Sequence, residues 1–136
     1  MLIREFISET NKTKMISDLL KYYKVGSVKV KQKSMKDHAH YNVDTGTLEL
    51  STKYKTIKNR QLKEFLITIL HEINHAIDAK KYGWKKFKDM YEMEMNLQIA
   101  NDKDEYKDNK YEIEAEQFGQ KNWSKWKTRF KKEGLI

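Results

Sequence analysis

Leu70-His71-Glu72-Ile73-Asn74-His75-Ala76-Ile77 lies in the middle of the chain, inside an apolar-periodic segment that runs from Asn59 to Tyr82. Leu62, Phe65, Leu66, Ile69, Ile73, Ala76 and Ile77 recur at the spacing of one helical face, and Gly83 follows where a helix commonly stops. The segment is predicted to be the strongest helix of the chain. On it His71 and His75 stand one turn apart, so their imidazoles stack on one side. That side lies opposite the main apolar arc, yet it also carries Ile67 and Ala79. A helix with one face in the core and the other flooring a cleft has this mixed pattern.

Working outward, Met15, Ile16, Leu19, Leu20 and Tyr23 predict an amphipathic helix over about Ser8 to Tyr23, with Ser8 or Thr10 as N-cap and Gly26 as the stop. Ser27 to Lys31 alternates with period two. Ala39 to Val43 and Thr47 to Leu50 flank Asp44-Thr45-Gly46 in the form of two strands around a tight turn. After the central helix, Phe87, Met90, Tyr91 and Leu97 predict a third helix from Lys85 to about Ala100, and Asn101 to Lys110 is a charged, apolar-poor loop. A last helix over about Tyr111 to Lys132 carries Trp123, Trp126 and Phe130. The expected fold class is α+β: a minimal domain in which a small, mostly antiparallel sheet of about three strands packs on the central helix, with further helices around it.

At 136 residues the chain has room for one compact domain, so residues 1–136 are read as a single unit. Charged residues make up 35% of it, but the apolar residues are grouped in periodic blocks, which argues for a folded domain with a charged surface. No stretch approaches the roughly 18 apolar residues of a membrane span, and Met1 to Glu5 is charged too early for a secretory signal, so a soluble, cytoplasmic chain is expected. Cysteine is absent, which rules out disulfides and thiolate metal sites and leaves His, Asp, Glu and water as metal ligands. The net charge of +8 comes from 28 basic residues interleaved with 20 acidic ones. It is compatible with weak, non-specific nucleic-acid binding but does not single it out.

The spacing His71-Glu72-x-x-His75 suits a tetrahedral zinc ion held by both imidazoles. Glu72 is offset from His71 by about a quarter turn, beside the metal rather than on it. That is where a general base would take a proton from a zinc-activated water attacking a peptide carbonyl, and return it to the leaving amine. A catalytic zinc needs a third protein ligand. Glu112 falls within the stripe formed by Ala115, Gly119, Trp123, Trp126 and Phe130, where an isolated carboxylate would be costly without a cation. The small Ala115 and Gly119 would let this helix approach the central one closely. Glu112 is therefore the expected third ligand, with Glu116 as its substitute or as the acceptor for the distal ring nitrogen of His71.

These two motifs resemble the gluzincin metallopeptidases. Glu112-Ile113-Glu114-Ala115-Glu116-Gln117-Phe118-Gly119 looks like the Glu-x-Glu-Ala-Asn-x-Phe-Ala element of the ImmA/IrrE-type peptidases, departing from it at Glu116 and Gly119. Tyr82-Gly83-Trp84-Lys85-Lys86-Phe87 is similar to the His-Gly-x-x-Phe element of SprT-like proteases, but Tyr82 replaces the ligand histidine, so the first resemblance is preferred. Both imply a minimal zinc protease in which the strand nearest the cleft pairs with an extended protein or peptide substrate, a role suited to His38 to Val43.

His38 and His40 share one strand face, and His40 is a candidate oxyanion stabiliser; Tyr82, Tyr91 and Tyr111 are others. The aromatic residues of the last helix, set among Lys121, Lys125, Lys127, Arg129, Lys131 and Lys132, are expected to pack in the core. An alternative function is a basic module that binds nucleic acid or a protein and keeps a structural or vestigial zinc site.

Overall fold

The computed structural model describes residues 6–136; the opening Met1 to Glu5 lies outside them. Helix α1 (Glu9–Tyr22) starts where the Ser8 hydroxyl accepts the Asn11 N–H at 3.1 Å. It ends before Gly26, because Lys24 adopts φ 61° and lets the Val25 N–H return to the Leu20 carbonyl at 2.8 Å. That closes the helix with Val25 buried beside it, the arrangement usually given to glycine. Lys12 is buried on α1, and its ammonium donates to the carbonyls of Tyr54 and Lys55 at 3.0 and 3.1 Å.

Strands β2 (Lys29–Lys33), β3 (Ala39–Asn42) and β4 (Thr47–Ser51) form a sheet in the order β2-β4-β3. β3 and β4 are the expected hairpin, closed by Gly46 at φ 66°. β2 begins two residues later than the alternation predicts, since the Val28 N–H is taken by the Val25 carbonyl in a turn at 3.0 Å. It runs parallel to β4, with Lys29 opposite Thr47 and Lys33 opposite Ser51, so the three-stranded sheet is mixed. Its Lys29, Lys31 and Lys33 are exposed along an open edge. A separate antiparallel pair joins β1 (Phe6–Ile7) to β5 (Ile57–Lys58). The fold class is α+β.

A single 3-10 turn (Asn59–Gln61) leads into α2 (Leu62–Tyr82), the central helix. Its Phe65, Leu66, Ile69, Leu70 and Ile73 belong to one core with Leu19 of α1, Leu48 of the sheet and Trp126 and Phe130 of the last helix. Gly83 at φ 86° turns the chain at once into α3 (Trp84–Ala100), which buries only Phe87 and Glu94. Helix α4 (Lys110–Lys132) begins with the Asn109 side chain accepting the Tyr111 N–H at 2.9 Å. It crosses α2 at Gly119, where a Cβ would lie 2.8 Å from the Ile67 carbonyl oxygen. Glycine is required there by close approach of two backbones. Among the described residues, no helix is long and apolar enough to cross a membrane.

Candidate metal centre

The histidine side of α2 is a floor rather than a wet surface: His71, Glu72 and His75 are all buried. Because α4 comes close at Gly119, its first turns overlie that floor. Glu112 reaches both imidazoles through one oxygen, with Oε1 lying 2.9 Å from His71 Nε2 and 2.6 Å from His75 Nε2. The three side chains form a buried group able to hold a metal ion. Two imidazole nitrogens and one carboxylate oxygen are donors that suit zinc and its first-row neighbours more than the all-oxygen cations.

The groups around this triad orient it. His71 Nδ1 lies 3.2 Å from Glu116 Oε2, and Gln120 holds the other Glu116 oxygen at 3.1 Å. With Nδ1–H donating to Glu116, Nε2 is the nitrogen left facing Glu112: in the metal-free protein it carries a proton and donates to Oε1, and once deprotonated it offers its lone pair to an ion. The Tyr91 hydroxyl donates to Glu112 Oε2 at 2.6 Å. Glu72 Oε2 and His75 Nδ1 are buried atoms with no hydrogen-bond partner. A buried carboxylate oxygen left free is costly, and such costs persist where the group has work to do.

Electrostatics in the metal-free protein follow from this packing. Burial alone would lower the His71 pKa, but the hydrogen bond and charge of Glu112, with Glu72 and Glu116, raise it to about 9. Burial would raise Glu112, yet hydrogen bonds from His71, His75 and Tyr91 hold it well below the usual carboxylate range. Glu72 is pushed up, first by burial and then by the charge of Glu112, against the pull of His75, His71 and His40. Its carboxylate is thus more basic than an exposed one.

The triad opens into a cleft of about 980 Å³ between β3, α2, α3 and α4. His40 and Glu116 line this cleft together with His71, Glu72, His75 and Glu112, so the expected ligands, base and His40 lie on one cavity. The tyrosines divide differently. Tyr91 is committed to Glu112, while Tyr82 and Tyr111 do not line the cleft; Tyr111 is buried against Phe87 and Tyr91. His38 also lines the cleft, but its Nδ1 is committed to Glu64 and the Tyr54 hydroxyl, at 2.9 and 3.0 Å. Tyr106, on the loop between α3 and α4, lines the cleft and was not singled out; that loop's low apolar content gave no sign of it.

Fold and site together define an α+β domain built around a buried His-His-Glu group with a carboxylate beside it. The chain matches no protein-family model, no curated protein and no solved structure.

Proposed function

We propose that the chain is a small zinc-dependent metallopeptidase of gluzincin type, related in plan to the ImmA/IrrE-like enzymes and working in the cytoplasm. One observation carries the reading: His71, His75 and Glu112 converge from two helices on one point, with buried Glu72 beside them in an open cleft and its Oε2 without a hydrogen-bond partner. A structural metal site has no use for that free carboxylate.

In this reading His71, His75 and Glu112 hold the ion, which when bound supplies Lewis acidity and a water of lowered pKa. Glu116 fixes the tautomer of His71. Glu72, made more basic by burial, takes the proton of the attacking water and delivers it to the leaving amine. β3 is an edge strand. His38 and Asn42 direct their carbonyls at the hairpin partner, so by the antiparallel alternation Ala39 and Tyr41 direct theirs outward. An extended peptide pairing with that edge would lie along the cleft, with His40 beside it as the candidate for holding the developing oxyanion. The test is metal analysis of the purified chain with hydrolysis of an unstructured protein substrate. About one zinc per chain is expected, lost in His71→Ala and His75→Ala, and Glu72→Gln should keep the metal while abolishing cleavage. A folded wild-type chain that takes up no zinc refutes the proposal.

A second reading is favoured by α4, whose Lys121, Lys125, Lys127, Arg129, Lys131 and Lys132 follow one another with no intervening acid. A basic module that binds nucleic acid over a structural metal would show steeply salt-dependent binding, unaffected by Glu72→Gln and unaccompanied by hydrolysis.

A further inference from the structure

α3 contributes no ligand to the triad, yet it touches the first turn of α4 at two polar points. The Tyr91 hydroxyl donates to Glu112 Oε2 at 2.6 Å, and three residues later Glu94 Oε2 accepts the Lys110 N–H at 2.7 Å. Glu94 is buried, and Gln98 steadies the same oxygen at 3.1 Å. The Tyr91 ring is held independently of its hydroxyl, in edge contacts with Phe87 and His75 and stacked on Tyr111. Lys110 and Glu112 are neighbours on α4, so these bonds fix both the backbone that carries Glu112 and the rotation of its carboxylate.

A free carboxylate has two equivalent oxygens and can chelate a cation with both. Here Oε2 is occupied by a phenol, while Oε1 alone faces the two imidazoles. We infer that Tyr91 and Glu94 are positioning residues that hold Glu112 to a single ligating oxygen, and so set the centre for a small cation with few ligands. Calcium, which takes six to eight oxygens, gains nothing from such an arrangement, whereas zinc needs only three protein ligands. The inference rests on the metal-centre reading of His71, His75 and Glu112 and adds the element that tunes it.

The experiment compares wild type, Tyr91→Phe, Glu94→Ala and Glu94→Gln by zinc competition with a chromophoric chelator, by visible absorption of the cobalt-substituted proteins and by urea denaturation of the metal-free ones. Tyr91→Phe keeps the ring packing and removes one hydroxyl. Its zinc affinity should fall about 10- to 100-fold, the usual cost of losing a group that orients a ligand. Its cobalt bands should weaken as the freed carboxylate raises the coordination number. Glu94→Ala should lose affinity in the same direction, and Glu94→Gln, which keeps an acceptor for the Lys110 N–H, should restore most of it. Tyr91→Phe that folds, binds zinc as tightly as wild type and keeps its cobalt spectrum overturns the inference while leaving the metal centre standing. The same holds for a Glu94→Ala variant indistinguishable from wild type. A wild-type chain that binds neither zinc nor cobalt overturns both.

Discussion

Gly119→Ala sets two known effects against each other at the crossing of α2 and α4. In a helix interior, replacing glycine by alanine normally stabilises by about 0.8–1 kcal/mol through backbone entropy. Here the added Cβ would sit 2.8 Å from the Ile67 carbonyl oxygen and 3.1 Å from Ile67 Cγ2, where ordinary contact begins at 3.4 Å. The nearer atom is backbone and cannot rotate aside, so the helices must part by about 0.6 Å. Overpacking of this kind costs about 1–3 kcal/mol, so the net expectation is a loss of up to about 2 kcal/mol. The parting also lifts Glu112 and Glu116 from His71 and His75, so zinc affinity should fall as well. The resembled ImmA/IrrE-type element has alanine at this position, which makes the substitution a test of packing rather than of likeness. Urea denaturation of the metal-free variant, with zinc competition on the same preparation, measures both effects. A variant that is about 1 kcal/mol more stable than wild type and binds zinc equally well would refute the close approach.

Zinc must displace the proton that His71 holds below about pH 9, so apparent zinc affinity should rise by roughly tenfold per pH unit as pH climbs toward about 9 and level off there, as chelator competition across pH would show. Without metal, the raised His71 pKa contributes stability that is fully present below its unfolded value of 6.5 and is lost as pH rises through about 9, a loss on the order of 3 kcal/mol. The depressed Glu112 pKa acts the other way, its contribution being present above the unfolded value of 4.5 and lost in strong acid. Denaturation of the metal-free protein should therefore show this cluster most stabilising between those two unfolded values. Burial raises the Glu72 pKa, so ionising it opposes folding; Glu72→Gln removes that cost, and the stability of the metal-free variant relative to wild type should grow as pH rises in the same denaturation assay. Lys12→Met leaves the Tyr54 and Lys55 carbonyls without their donor and should cost about 1–3 kcal/mol by the same denaturation assay.

Sequence made the local elements readable. The period of α2, the glycine after it, and the Asp44-Thr45-Gly46 turn each carry their own signal within a few residues. Glu112 was readable because a carboxylate inside an apolar stripe demands a partner, and the structure supplies two imidazoles. What sequence did not carry depends on tertiary placement. The α1 stop at Lys24 uses a left-handed lysine because buried Val25 must turn inward. The parallel pairing of β2 with β4 leaves no mark in an alternating pattern, since either direction exposes the same face. Tyr91 could be proposed as a donor, but only the crossing of α3 over the first turn of α4 directs its hydroxyl to Glu112.

The two open margins of the small sheet differ in how they would meet another chain. Along β2, Lys29, Lys31 and Lys33 present a row of like charges that resists edge-to-edge stacking, a common protection against aggregation. β3 has no such row: Ala39, His40 and Tyr41 occupy its margin. Of these two margins, β3 is therefore the one open to an added strand. A strand added at β3 would lie along the rim of the cleft that Ala39, His40 and Tyr41 line.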